Sequence, residues 1–247
     1  MMAIYGQPVA LGQLADRVFD AVLFDMDGTL IDSTPAVLRA WATWAVEHGL
    51  GRDLLTGWHG VPSASVVRAV LEADRHEAAI ARINELEIAE VDDIVILPGA
   101  TEALAALRGA KNAIATSCTV PLAQARLAAA QLTPPSVLVT ADDVVHGKPS
   151  PDPYLEAARR LGVDPVQCLV VEDAPAGLES ARGAGCATLA VITTTRPEDL
   201  IADAVVKDLS HVRFEVTPLG IRVKPALAPP GTPTSAEAPA REGASVD

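Results

Sequence analysis

Four groups of polar residues, each following a short apolar run, are of the types that phosphoryl transfer requires. The groups are Asp25 with Asp27, Thr116 with Ser117, Lys148 alone, and Glu172 with Asp173. Crowded carboxylates repel one another unless a hard cation such as Mg²⁺ is held between their oxygens. An ammonium and a hydroxyl can stabilise the charge that develops on phosphoryl oxygens. If these groups meet, the pattern predicts a magnesium-dependent reaction at a phosphate group.

The residue types within such a pocket suggest a role for each member. Asp25 is expected to act as the nucleophile and to form an aspartyl-phosphate. Asp27 is expected to protonate the leaving oxygen and then to take a proton from the hydrolytic water. The residues expected to bind the phosphate are Ser117, Lys148, Thr116 and Gly28. Gly28 would let the backbone turn tightly and leave amide hydrogens free for the phosphate.

Alternating strand and helix patterns would bring these groups together. Apolar runs predict strands at 21–24, 113–115, 137–139, 169–171 and 189–192. Helical patterns lie between them from position 98 onward. Apolar strands separated by helices argue for a parallel sheet covered on both faces, and the carboxyl ends of such strands open on one crevice. The predicted fold is therefore α/β, a doubly wound, Rossmann-like parallel sheet.

A long helical block interrupts this alternation after the first strand. Apolar residues recur near helical spacing from position 34 to about 96, with no strong strand signal. The expected domains are an N-terminal extension at 1–16, an α/β core at 17–33 and 97–224, and a helical insertion at 34–96. Positions 225–247 are rich in Pro, Ala, Ser, Thr and Glu, which predicts a disordered tail.

Composition limits the partners. The chain has 32 acidic and 19 basic residues, a formal net charge of −13, so nucleic acid is an unfavourable partner. Three widely spaced cysteines fit neither a disulfide framework nor a zinc site and suggest a reducing compartment. The N-terminus does not have the pattern of a signal peptide, and no apolar run is long enough for a membrane span. We expect a soluble, cytoplasmic protein that binds a small phosphorylated metabolite.

Four segments in the right order resemble the motifs of the haloacid dehalogenase (HAD) superfamily. They are DMDGTL at 25–30, ATS at 115–117, GKP at 147–149 and VEDAPAG at 171–177. The resemblance covers roughly 21–216. It implies that Asp25 is both nucleophile and metal ligand and that Asp27 also binds Mg²⁺ through its carbonyl. It further implies that Asp173 holds the metal, with Glu172 as a direct or water-mediated ligand.

Further segments resemble the sugar and polyol phosphatases within this superfamily. They are DSTPA at 32–36, WHG at 58–60 and GKPSPDPYL at 147–155. This subgroup includes hexitol-phosphate, 2-deoxyglucose-6-phosphate and glycerol-3-phosphate phosphatases. The resemblance implies that the helical block is a mobile cap that reads the carbon skeleton of the substrate. His59, with Gly60 beside it, would then face the pocket, although a lone histidine is more often structural or solvated.

Several alternatives share part of this machinery. A calcium loop opening at Asp25 would need Glu at its twelfth position, which is Ala36. A dehalogenase would not need Asp27, and a phosphonoacetaldehyde hydrolase would need a cap lysine, absent between positions 34 and 97. A phosphomutase of the β-phosphoglucomutase type is closer, but that family has a histidine where this chain has Val37. The mutase is the second hypothesis, followed by a phospho-accepting receiver-like regulatory module.

Overall fold

The computed structural model describes residues 10–51 and 61–226. In chain order its strands are β1 (Ala21–Phe24), β2 (Ile31–Asp32), β3 (Val95–Ile96), β4 (Asn112–Ala115), β5 (Val137–Val139), β6 (Cys168–Glu172), β7 (Ala187–Val191), β8 (Ala204–Val206), β9 (Val212–Thr217) and β10 (Gly220–Pro225). The helices are α1 (Thr34–His48), α2 (Ser63–Val70), α3 (His76–Ala89), α4 (Ala100–Ala106), α5 (Val120–Ala129), α6 (Asp152–Leu161) and α7 (Pro175–Gly183).

Six strands form one parallel sheet with β1 near its centre. The order is β5-β4-β1-β6-β7-β8, and every neighbouring pair runs parallel. Parallel neighbours need crossover connections, and the helices α4 to α7 lie in those connections. The predicted α/β class is confirmed. The short strand β8 had no strong sequence signal and extends the sheet by one strand.

The central strands have apolar side chains on both faces, and both faces are buried. Along β1, Val22 and Phe24 pack into one core cluster, whereas Ala21 and Leu23 pack into another. This alternation follows the two-residue period of a strand. The second cluster is rich in alanine and contains Tyr154 from α6. Its small side chains let the helices on that face approach the sheet closely.

The helices α1, α2 and α3 follow one another between β2 and β3. These two short strands pair antiparallel, with Ile31 opposite Ile96. The chain therefore leaves the core for the three helices and returns to it at adjacent points. The three helices share a core cluster of their own, which includes Trp41, Trp44 and Val67. The Trp44 indole donates to the Ala79 carbonyl at 2.9 Å. The helical nature predicted for this block therefore matches the observed helices.

The two ends of the described chain meet in an arrangement that the sequence did not suggest. Strands β9 and β10 form an antiparallel hairpin, and Ile221 exchanges backbone hydrogen bonds of 2.8 and 2.7 Å with Phe19. Leu11 and Leu14, which the sequence assigned to an N-terminal extension, are buried in the main core. The hairpin extends through Pro225, and residues 227–247 of the expected tail lie outside the described residues. None of the helices in the described part of the chain is long and apolar enough to cross a bilayer.

Candidate active site

Three carboxylates meet at the carboxyl edge of the sheet. Asp25 directly follows β1, Glu172 ends β6, and Asp173 comes next in the chain. All three residues are buried, and one carboxylate oxygen from each lies within 4.8 Å of the others. Because β1 and β6 are neighbours in the sheet, these residues come together although the chain separates them widely. The spatial convergence predicted for the strand ends is therefore present.

Lys148 is the cation of this cluster. Its Nζ lies 2.5 Å from Asp25 Oδ1 and 2.8 Å from Glu172 Oε1, and its side chain is fully buried. Burial alone would favour the neutral amine, but Asp25 and Glu172 hold the pKa of Lys148 above its usual range. The lysine is therefore charged and fixed beside the predicted nucleophile.

Glu172 is held by four hydrogen bonds. Oε1 accepts from Lys148 and, at 3.0 Å, from the Tyr154 hydroxyl. Oε2 accepts from the backbone amides of Asp173 and Ala174 at 2.8 and 3.0 Å. A Cβ at Gly177 would overlap the Glu172 carboxylate, so this glycine in α7 leaves the space that the carboxylate occupies. Glu172 thus fixes Lys148 in place in addition to belonging to the acidic cluster.

Asp173 has a different environment. Oδ1 accepts from Thr29 at 3.1 Å, and Oδ2 accepts from the Thr194 hydroxyl. Burial, reinforced by the neighbouring charge of Glu172, raises the pKa of Asp173 to about 7. Burial likewise raises the pKa of Asp25 well above its usual range, against the opposing effect of Lys148. Crowded, buried oxygen ligands of this kind fit a hard divalent cation such as Mg²⁺, which would favour their charged forms.

Gly28 differs from the sequence expectation. Its φ of 85° is in the left-handed region that favours glycine, and a Cβ there would overlap Asp173 Oδ2. Its amide, however, donates to the Ile31 carbonyl at 2.8 Å and is not free to bind a phosphate. The expectation of a phosphate contact from this amide is therefore not met. Gly28 instead allows the turn after Asp27 to lie against Asp173.

Asp27 is not a member of the three-carboxylate cluster and has partners of its own. Oδ1 accepts from Ser33 at 2.6 Å and from Arg126 Nη1 at 2.8 Å, and Oδ2 accepts from the Cys118 thiol at 3.1 Å. Burial raises the pKa of Cys118, which keeps it a neutral thiol donor. The Asp27 side chain remains 23% exposed. Its carboxylate is thus oriented by three donors and lies at the wall of a cavity.

The two hydroxyl residues after β4 occupy different positions. Thr116 is buried, and its Oγ1 accepts a hydrogen bond from the Cys118 amide at 3.1 Å. Its hydroxyl therefore stabilises the loop after β4. Ser117 lines the cavity that also borders Asp27 and Asp173. The structure therefore brings Ser117 to the predicted site and gives Thr116 a structural contact within the same loop.

The cavity has a volume of ≈ 120 Å³ and lies between the sheet edge and the inserted helices. Its polar lining includes Asp27, Ser117 and Asp173 from the sheet side, and Ser63 and Glu87 from the helical side. The remaining wall is mainly apolar, from Val37, Leu38, Trp41, Val61, Val66 and Leu122. The suggested cap residues His59 and Gly60 lie outside the described residues.

Several site residues were missed by sequence reasoning. They are Thr29, Ser33, Glu87, Cys118, Arg126, Tyr154 and Thr194. A signal existed for Arg126, because it lies four residues after Leu122 and next to Leu127, on the apolar face of α5. A charged residue on a buried helix face needs a partner. Thr29, Ser33 and Tyr154 lie within the motif-like segments, but nothing in the sequence marked their contacts. Cys118 and Thr194 come three and two residues after predicted strands and were not singled out, and Glu87 carried no signal.

Comparisons with known proteins identify the family of the chain. The family model for haloacid dehalogenase-like hydrolases matches residues 19–185. The chain belongs to this family. Hexitol phosphatase A from Escherichia coli (strain K12) is 43% identical over 206 residues, covering 80% of this chain and 95% of that protein. The predicted HAD resemblance and the prediction of a hydrolase are thereby confirmed.

Two further similar proteins mark the range of related chemistry. Fructose-1-phosphate phosphatase YqaB from Escherichia coli (strain K12) is 32% identical, covering 68% of this chain and 93% of that protein. A solved structure of a candidate β-phosphoglucomutase from Bacteroides vulgatus is 28% identical, with a TM-score of 0.67, over 78% of this chain and 85% of that one. Phosphatases and a mutase-like protein thus share this fold.

Proposed function

We propose that this chain is a Mg²⁺-dependent phosphatase that hydrolyses a small sugar- or polyol-phosphate monoester through an aspartyl-phosphate on Asp25. The observation that carries the proposal is the buried group of Asp25, Lys148, Glu172 and Asp173 at the sheet edge, next to a cavity that Asp27 borders. A nucleophile, a fixed cation and a second carboxylate are the parts that phosphoryl transfer by this route needs.

Asp25 and Asp173 are the residues we assign to hold the metal, with a further ligand from the Asp27 carbonyl. Bound there, Mg²⁺ would offset the negative charge of the site so that an anionic phosphate can approach. Glu172 already accepts hydrogen bonds from four donors, which favours metal binding through a water molecule rather than direct ligation. Lys148 keeps its ammonium within reach of Asp25 and of a phosphoryl oxygen next to it.

The chemistry then divides between the two aspartates after β1. Asp25 attacks phosphorus, and the bond from phosphorus to the ester oxygen breaks. Asp27 gives a proton to that leaving oxygen and later removes one from the water that hydrolyses the aspartyl-phosphate. The three donors that orient Asp27 support this assignment, because a proton carrier must be held at one place. Ser117 and Lys148 stabilise the phosphoryl oxygens.

The substrate class is inferred from relatives and from the cavity. Proteins named as hexitol and fructose-1-phosphate phosphatases are among the chain's relatives. A cavity of ≈ 120 Å³ with a mixed polar and apolar lining suits a short carbon chain. The net charge of −13 disfavours nucleic acid. We infer a small phosphorylated metabolite as partner and a cytoplasmic location.

A β-phosphoglucomutase-type activity is the second candidate. It is supported by the structural likeness to the candidate mutase from Bacteroides vulgatus. Val37, at the position where that family has a histidine, is part of the apolar lining of the cavity. An apolar side chain there cannot exchange protons, which favours hydrolysis over transfer between sugar positions.

A phosphate-release screen tests both candidates. Purified protein is given sugar, polyol and glycerol phosphates with Mg²⁺, and isomerisation of glucose-1-phosphate is measured alongside. We expect release from at least one ester, loss of release in excess chelator, and loss in Asp25→Asn. The matched control is Asp20→Asn, an exposed aspartate at the start of the same segment, which should keep normal turnover.

Three results would contradict the proposal. Full turnover in excess chelator would exclude the metal, and normal turnover by Asp25→Asn would exclude the nucleophile. Isomerisation that outpaces phosphate release would favour the mutase. Asp27→Asn should let labelled phosphate accumulate on the protein, because breakdown of the phosphoenzyme needs its base.

A further inference from the structure

A buried ion-paired residue connects the core with the inserted helices at the cavity. Arg126, on α5, donates from Nη1 to Asp27 and from Nη2 to Glu87 Oε1 at 3.1 Å. Glu87, on α3, also accepts from the Ser63 hydroxyl of α2 at 2.8 Å. Arg126 and Glu87 are each only 4% exposed. All four residues line the cavity next to the predicted reaction centre.

The positive charge of Arg126 is already compensated by its two partners. Arg126 lies between two carboxylates, so it offers no uncompensated positive charge to a second anionic group of a ligand. Glu87 adds negative charge to the far wall. A bisphosphate or a phosphorylated acid would therefore meet repulsion there, while an uncharged carbon chain would not.

Hydrogen-bonding capacity remains at this wall. A carboxylate has about four acceptor positions, and among the described residues Glu87 accepts one bond at each oxygen, from Arg126 and from Ser63. Within residues 10–51 and 61–226, Arg126 Nε is a buried donor without a hydrogen-bond partner. Glu87 lines the cavity, so its unused acceptor positions can bind donor groups of a ligand. Hydroxyl groups match, because they both donate and accept.

We propose that Glu87 and Ser63, held in place by Arg126, select substrates with an uncharged, hydroxylated carbon chain. This inference rests on the proposed phosphatase function and assigns the selection of the substrate's carbon chain to named residues. The hydroxyls of the substrate's carbon chain donate to Glu87. The phosphate of the substrate lies at the opposite end of the cavity, toward Asp25. The apolar wall formed by Val37, Trp41 and Val66 covers the carbon atoms between them.

The test compares catalytic efficiency on esters with and without hydroxyls. Glycerol phosphate supplies a hydroxylated chain, p-nitrophenyl phosphate has no hydroxyl, and fructose-1,6-bisphosphate carries a second charge. In Glu87→Gln we expect kcat/KM for glycerol phosphate to fall about 10-fold or more relative to p-nitrophenyl phosphate, the scale of a lost hydrogen bond to a charged group. The relative rate with the bisphosphate should rise, because Arg126 loses one counter-charge.

Ser63→Ala is a milder second variant that removes one hydroxyl and no charge, and it should change the same ratio in the same direction. Glu85→Gln is the matched control, since Glu85 lies on the exposed side of α3 and pairs with Arg82. Its ratio should equal that of the wild type. Far-UV circular dichroism of each variant verifies that the fold is retained.

The outcomes separate the two proposals. In one outcome the wild type releases phosphate, but Glu87→Gln and Ser63→Ala lower kcat/KM for all three substrates by one common factor. The selection role is then wrong and the phosphatase function stands. If the wild type hydrolyses none of the esters, the phosphatase function fails and the selection role with it. A changed ratio in both variants, with an unchanged ratio in Glu85→Gln, supports the inference.

Discussion

The sheet-edge wall, meaning Asp25, Lys148 and Glu172 beside the cavity, differs in construction from the cap-side wall that lines the cavity. At the sheet edge, Asp25, Lys148 and Glu172 are held by bonds to one another within the core. At the cap side, Glu87 and Ser63 come from two inserted helices, and Arg126 of the core bonds to Glu87. The first wall is one ion network within the core, and the second spans two structural units.

This difference implies that the core residues carry out the reaction and that the residues on the inserted helices select the substrate. A group fixed by the core acts on the phosphate that every substrate carries, so changing it should affect all substrates alike. A group on the inserted helices contacts the part of the substrate that varies. Variants at the sheet edge should therefore lower catalytic efficiency by a common factor, whereas variants at the cap side should change ratios between substrates.

Lys148→Ala should have the largest effect. It removes a charged donor next to Asp25, so kcat/KM should fall about 10²- to 10³-fold on hydroxylated and hydroxyl-free esters alike. It also leaves Asp25 and Glu172 buried without their cation, which should lower the free energy of unfolding by roughly 3–5 kcal/mol. Steady-state kinetics and urea denaturation measure the two effects. Lys111→Ala, at an exposed lysine, is the control and should leave both near wild type.

Gly177→Ala tests the same wall without replacing a charged residue. The added Cβ would overlap Glu172, which must move and take Lys148 out of position. A displacement of this size should lower kcat/KM by about 10- to 10²-fold for all esters. Gly183→Ala, in the same helix, is the control, because its Cβ would meet Pro151 at an ordinary 3.5 Å. A change in substrate ratio in Gly177→Ala would contradict the separation of the two walls.

The smallest effect is on stability and depends on pH. The pKa of Asp173 is raised to about 7 in the folded, metal-free protein, mainly by burial. Between the ordinary carboxyl pKa of about 4 and 7, the folded state therefore binds more protons than the unfolded state. The free energy of unfolding should fall as pH rises through this range. Thermal melts in chelator at pH 5 and pH 8 should show the lower midpoint at pH 8, and Asp173→Asn should weaken this difference. A higher midpoint at pH 8 would contradict the raised pKa.

The sheet-edge wall could be predicted from the sequence because strand ends are visible in it. Asp25, Lys148 and Asp173 each follow an apolar run or lie in a recognisable motif, and parallel pairing makes such positions neighbours. The family and the α/β fold were predicted on the same grounds and are confirmed. The roles of the individual residues stay predictions, and His59 and Gly60 lie beyond the described chain.

The rest could not be predicted because it depends on distances that no local pattern encodes. The contact between Glu87 and Arg126 requires knowing how α3 lies against α5. Whether the Gly28 amide is free depends on the turn that gives it Ile31 as an acceptor. The hairpin of β9 and β10 depends on packing against residues near the start of the chain, among them Phe19 and Phe24.

The position of β1 in the sheet has a consequence for how the enzyme matures. Its partners arrive late in synthesis, since Val22 pairs with Asn112 and Ala21 with Cys168. Closing such long loops is slow, and little of their stabilisation is gained until both ends are in place. A nascent chain or a proteolytic fragment that stops before β6 has Asp25 but lacks Glu172 and Asp173. Such a chain cannot assemble the metal-binding group, because only one of its three carboxylates has been made.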